Sequence, residues 1–165
     1  MIHYQREKEM EAKEYLLQAV AQAQKTMRSN KGGPFGAAIV DTEGKVYVAS
    51  NTVLEDKDPT AHAEVNVIRK TCKEKGTFDL SGCILYTTCY PCPMCLAACI
   101  WANIRKIYYG STAKDAEEVG FRDDYIYKFI GGSCSDTKVM ELVQSNRETT
   151  QPLFEEYKRD KKVLY

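Results

Sequence analysis

At 165 residues the chain suits a single domain, and its 44% apolar and 28% charged content excludes wholesale disorder, a coiled coil and a collagen-like repeat. Lysine plus arginine total 23 and aspartate plus glutamate total 23, so no global basic field gathers nucleic acid, and a small neutral partner is expected instead. No stretch approaches the roughly 18 apolar residues of a membrane helix, and the first residues, MIHYQREKEMEAKEY, hold no apolar secretory core, which points to a cytoplasmic protein without membrane association.

Between about Met10 and Arg28, Leu16, Val20, Ala23 and Met27 recur at helical spacing, flanked by Leu17 and Ala21, and predict a surface helix with one buried stripe. The breaker cluster from Ser29 to Pro34 ends it and leads into a strand over Phe35 to Val40. Asp41-Thr42-Glu43-Gly44 reads as a hairpin turn, with Val46 to Ala49 as the returning strand. Beyond Asp58-Pro59, Thr60 is placed to cap a helix reaching about Lys75, with Val65, Ile68 and Cys72 inward and Gly76 as its stop. Cys83 to Thr88 is a short apolar run, as in a strand covered on both faces. Pro91 and Pro93 then open an apolar helix over Met94 to Trp101, and Lys106 to Tyr109 supplies another strand. Gly120 to Ile130 predicts a helix, Lys138 to Val143 fits strand and helix equally, and Pro152 to Lys162 predicts a closing amphipathic helix begun by Thr149 or Thr150. A strand, helix, strand succession with short connections implies a parallel pair, so the expected architecture is α/β with an antiparallel hairpin edge, in one domain over 1–165.

The seven cysteines are odd in number, and Cys89, Cys92, Cys95 and Cys99 crowd together, which favours thiolate or metal chemistry over cross-links. His62-Ala63-Glu64 opens one predicted helix and Pro91-Cys92-Pro93-Met94-Cys95 opens another, with a strand between them to bring both helix N-termini to one sheet edge. Cys92 and Cys95, three apart, face one way on a helix, whose positive end favours their thiolate forms. With His62 they make a mixed sulfur and nitrogen set that suits zinc, and three protein ligands leave one place for a water whose pKa the metal lowers. Glu64 lies near enough to exchange a proton with that water, as general base and then general acid. His-x-Glu followed by Pro-Cys-x-x-Cys is the arrangement of zinc deaminases acting on nucleobases. A rival reading takes Cys89, Cys92, Cys95 and Cys99 as an iron–sulfur run, but Ile100 stands where that pattern has proline. On the residues alone, Phe35 also fits a core position, Asn51 a turn, Asp123 a solvated charge pair with Arg122, and Tyr165 a frayed end.

Four segments carry a resemblance: Gly32-Gly33-Pro34-Phe35-Gly36-Ala37, Asp58 to Glu64, Cys92-Pro93-Met94-Cys95, and Gly120-Phe121-Arg122-Asp123-Asp124-Tyr125-Ile126-Tyr127. On them the chain resembles the cytidine deaminase superfamily over nearly its whole length, and within it the bacterial-type guanine deaminases. The resemblance implies a three-layer α/β/α sandwich around a mixed five-stranded sheet, one Zn2+ per subunit, and hydrolysis of guanine, a small purine base, to xanthine and ammonia. It further implies that Phe35 packs on the purine, that Asn51, Ala63 and Trp101 bind it, and that Asp123 contacts the amino edge and helps Glu64 relay protons. Residues 145–165 would be exchanged between the subunits of a homodimer, carrying Tyr165 to the neighbour's substrate. Tyr90 stands where such proteins commonly have an acid and Arg122 where they often have a second aspartate, departures that bear on the pocket wall. The same chemistry on cytosine, guanosine, a triazine amine or tRNA adenosine is the alternative, and a non-catalytic zinc or iron–sulfur module the remote one.

Overall fold

A computed structural model describes residues 2–164, with side chains described from residue 9 onward. It divides into two compact units, 1–123 and 124–165. In the first, α1 (Ile2–Arg28) is followed by the hairpin β1 (Gly36–Val40) and β2 (Val46–Ser50), a short α2 (Val53–Asp56), α3 (Ala63–Lys75), β3 (Ile84–Cys89), α4 (Pro93–Trp101), β4 (Lys106–Ser111) and α5 (Ala113–Glu118).

The strands form one sheet in the order β2-β1-β3-β4, antiparallel except for the parallel β3–β4 pair joined through α4. Among the described residues the sheet has four strands, not the expected five. The chain beyond β4 is helical or irregular, and the segment 138–143 that fitted strand or helix is neither. There Asp136 accepts from the Lys138 N–H through its side chain and from Val139 through its carbonyl, a local turn that competes with a ladder.

Strand alternation sorts the interior into two layers. Ala37, Ile39 and Leu85 face α3 and α4, packing with Ala63, Val67, Cys99 and Ile104, while Ala38, Val40 and Tyr86 face the α1 side with Ala12. Helices thus cover both faces, as the sandwich reading requires. The inward stripe of α1 differs from the expected one: Ala12, Ala19, Ala23 and Thr26 are buried, whereas Leu17, Val20 and Met27 are exposed. Close approach explains the rotation. A Cβ on Gly36 would lie 2.0 Å from the Ala19 carbonyl oxygen, so helix and strand meet backbone to backbone, and only small side chains fit between them.

Helix α3 stops where expected, with Gly76 left-handed at φ 67 and its N–H donating to Cys72. Its start is two residues later than Thr60 would place it. Asp58 takes both the N–H and the hydroxyl of Thr60 into a local turn, and His62 becomes the N-cap. Its buried side is Ala63, Glu64, Val67 and Thr71, with Ile68 and Cys72 at the margin of the core and Val65 outside it. The hairpin turn is tied to the far end of this helix. Asp41 Oδ1 accepts from the N–H groups of Glu43 and Lys45, and Oδ2 accepts from Lys75 Nζ at 3.0 Å and from the Tyr47 hydroxyl. The Lys75 hydrogen bond, aided by the turn N–H groups, outweighs burial and holds the Asp41 pKa down to about 2.

The second unit contains α6 (Asp124–Gly131) and α7 (Arg147–Arg159). Helix α6 begins later than Gly120, because Gly120 and Phe121 close off α5 by donating to Glu117 and Ala116. Helix α7 begins before Thr149, after a left-handed Asn146, and carries Pro152 in its interior.

Candidate active site

The sequence between α3 and α4 threads β3 so that the starts of the two helices come together. His62 and Cys92 are the N-caps, both with extended backbone, and Pro93 occupies the first turn of α4, where its missing N–H costs no intrahelical bond. Cys95 lies in that same turn, fully buried. His62 Nδ1 is 3.6 Å from Cys92 Sγ and 3.6 Å from Cys95 Sγ, and the three ligand atoms lie within 4.8 Å of one another. Zinc with nitrogen at about 2.0–2.1 Å and sulfur at about 2.3 Å, bonded at the tetrahedral angle, has an N···S edge of about 3.6 Å. The three side chains therefore fit a tetrahedral zinc with one position left over.

The positive ends of two helix dipoles converge on this cluster and favour anionic sulfur. The hydrogen bond shared with Cys95, reinforced by His62, draws the Cys92 pKa down to about 4 against the opposing effect of burial. The same shared hydrogen bond, with burial, pushes Cys95 up, and the contact with Cys92 raises His62. Cys89 and Cys99 belong to a different environment. Burial pushes the Cys99 thiol up to about 12 and raises Cys89, so both are neutral small hydrophobes. Among the described residues the only group of three or more metal-ligating side chains close enough for one ion is His62, Cys92 and Cys95, and Cys89 and Cys99 are outside it.

Glu64 is the second residue of α3, on its buried face. Its Oε1 accepts from the Thr87 hydroxyl at 2.7 Å, and Oε2 lies 3.4 Å from Cys95 Sγ. Burial raises its pKa, with the Thr87 hydrogen bond opposing, so the carboxyl is poised to take up and return a proton beside the metal ligands.

Phe35 packs against the core cluster that contains Ala63, the residue after His62, and the other expected residues are set as follows. Asn51 is buried, and its Oδ1 accepts from the N–H groups of Gly33 and Val53, which fixes the amide plane and leaves Nδ2 as the edge not used by the backbone. Phe35 meets Phe121 edge to face at 4.8 Å. Ala63 is fully buried at the first position of α3, where a backbone N–H has no intrahelical acceptor. Asp123 is half-buried, and its charge is felt at both His62 and Cys89. Trp101 is not brought there: it is 71% exposed at the C-terminal end of α4, eight residues or about 12 Å of helix from Pro93. Tyr165 lies outside the described residues.

Two contributors escaped the sequence reading. Thr87 was absorbed into an apolar run, although a hydroxyl in a strand covered on both faces demands a partner and is itself a signal. Phe121 was noted only within a resemblance segment, and nothing in its neighbourhood points to Phe35.

Residues 10–111 match the model of the cytidine and deoxycytidylate deaminase zinc-binding region. The chain belongs to that family. A guanine deaminase of Bacillus subtilis is 47% identical over 116 residues, covering 70% of this chain and 74% of that protein. An X-ray structure of guanine deaminase from Bacillus subtilis superposes with a TM-score of 0.81 at 39% identity, covering 89% of this chain and 93% of the other. A tRNA-specific adenosine deaminase from the same organism is 34% identical over 134 residues, 81% of this chain and 71% of that protein. The family is zinc-binding, the donor set fits zinc, and zinc is the cofactor of this deaminase domain.

Proposed function

We propose that this zinc deaminase converts guanine and water to xanthine and ammonia. The observation that carries the reading is the placement of Glu64, a buried carboxylate 3.4 Å from a sulfur of a three-ligand metal cluster, in a chain that matches guanine deaminases in sequence and fold. Zinc, when bound, supplies an acidified water at the position that His62, Cys92 and Cys95 leave open. Glu64 would hold the first proton of the water as its oxygen adds to C2 and give it to the adjacent ring nitrogen, then would take the proton left on the added hydroxyl and give it to the amine, so that ammonia leaves as C2 becomes a carbonyl. Asp123, whose charge reaches His62, assists at the amino edge. Asn51 donates from Nδ2 to an acceptor on the base, the Ala63 N–H offers a second donor, and Phe35, braced by Phe121, packs on the ring.

The balance of 23 basic and 23 acidic residues disfavours tRNA, for which several relatives are named, that of Bacillus subtilis among them. Ammonia release from guanine, guanosine, cytosine, a triazine amine and a tRNA anticodon stem, measured on enzyme of known zinc content, tests the assignment. Guanine should be turned over fastest, and activity on tRNA alone would overturn it.

The second unit supports a homodimer with exchanged C-terminal segments. Neither α6 nor α7 buries a residue, and Leu153, Phe154, Val163 and Leu164 are exposed, an apolar load that needs a cover. Tyr165 would then complete the partner's pocket, and Trp101 would contribute only across a subunit contact. All seven cysteines are free, and no helix among the described residues is long and apolar enough to cross a membrane, which suits a cytoplasmic location.

A further inference from the structure

We propose that Thr87 is a positioning residue for the reaction, its hydroxyl holding Glu64 Oε1 so that Oε2 alone is presented to the reacting atoms. This rests on the deamination reading above. Thr87 is fully buried in the middle of the sheet, its backbone paired with Ala37 of β1 on one side and Tyr109 of β4 on the other. A strand locked on both edges cannot drift, and branching at Cβ restricts the side chain to few rotamers. The hydroxyl has a single proton and two acceptors in reach, Glu64 Oε1 at 2.7 Å and the Gly36 carbonyl at 3.5 Å. The nearer, anionic oxygen takes it, since charge-assisted hydrogen bonds are short and strong.

The consequence is geometric. A glutamate side chain has three rotatable bonds, and its carboxylate is free to turn unless one of its oxygens is held. Here β3 engages Oε1 through the Thr87 hydroxyl at 2.7 Å, while Oε2 lies 3.4 Å from Cys95 Sγ, which as a metal-bound thiolate has no proton to give. Oε2 is thereby kept on the side of the metal ligands, and Oε1 is withdrawn from the chemistry. Loss of the Thr87 hydroxyl leaves the fold and the three ligands intact but lets the carboxylate rotate, and a displacement of about 1 Å at a proton-transferring group costs up to about 100-fold in rate.

The test compares Thr87→Val, which keeps the shape and loses the donor, with Thr87→Ser, which keeps the donor. In Thr87→Val, kcat for ammonia release from guanine should fall about 10- to 100-fold with KM and zinc content unchanged. A crystal structure of that variant should show the Glu64 carboxylate turned from its wild-type orientation. Thr87→Ser should recover most of the lost rate. The inference is overturned if the valine variant keeps wild-type kcat, or if serine loses as much as valine, which would make the role one of packing. Should valine fail to fold, Thr87→Ala is read by the same criteria. Wild-type enzyme is assayed alongside: its inactivity on guanine would sink the functional assignment, while the carboxylate orientation still reports on Thr87.

Discussion

Replacing Glu64 by Gln removes the proton-transferring group while preserving its shape and contacts. The amide oxygen of glutamine can still accept from the Thr87 hydroxyl, and its nitrogen, about where Oε2 now stands and 3.4 Å from Cys95 Sγ, can donate to the metal-bound thiolate. Neither contact is to be lost, and a buried amide avoids the desolvation that raises the carboxyl's pKa, so stability should hold or improve. Catalysis should not survive. General acid–base assistance contributes typically 10² to 10⁴ per transferred proton, and Glu64 is used for more than one transfer. A fall in kcat of at least about 10³-fold is expected, equivalent to about 4 kcal/mol in the barrier. Stopped-time ammonia assays paired with metal analysis read both halves of the statement. A variant with full zinc and a rate within tenfold of wild type would refute the role given to Glu64.

Phe35→Ala should raise KM for guanine by roughly 5- to 150-fold with a smaller effect on kcat, because stacking of an aromatic side chain on a base is worth about 1–3 kcal/mol; steady-state kinetics decide this. Lys75→Met removes the group that contributes most to depressing Asp41. A carboxyl whose pKa is lowered on folding adds stability above its unfolded value, near 4, and loses it as pH falls toward 2. Denaturation midpoints of wild type should therefore drop across that window, and those of Lys75→Met should start lower at pH 7 and drop less. Deleting Val163, Leu164 and Tyr165 should cut kcat/KM for guanine by at least about tenfold with zinc retained, and normal kinetics in the truncated chain would dispose of the exchanged tail.

The metal site was legible because both halves of it are local. Cys92 and Cys95 share a helical turn and His62 and Glu64 share another, so spacing alone puts ligands and carboxylate at helix starts. What escaped depends on distant backbone geometry. The inward face of α1 was misread because large apolar residues were assumed to point inward, whereas the 2.0 Å that a Gly36 Cβ would leave to Ala19 admits only small ones. The start of α7 was misplaced because proline usually opens a helix, while Pro152 sits inside one. The fifth strand followed from family likeness rather than from any periodic segment, and no such strand exists among the described residues.

The contribution of Thr87 shows how the face of the sheet without chemistry governs the face that has it. Along β3, alternation sends Leu85 toward α3 and α4 and Tyr86 toward α1. Tyr86 stacks on Tyr108 at 5.1 Å and meets Tyr15 of α1 at 4.8 Å, so an aromatic column fixes which residues point that way. A slip of one residue in β3 would turn Tyr86 into the opposite core and swing Thr87 away from Glu64. The aromatic contacts on the α1 face thus carry a catalytic consequence without touching the site: they hold the register that aims one hydroxyl at one carboxylate oxygen. Weakening that column is expected to act as loss of the Thr87 hydroxyl does, misaligning the proton group without touching a metal ligand.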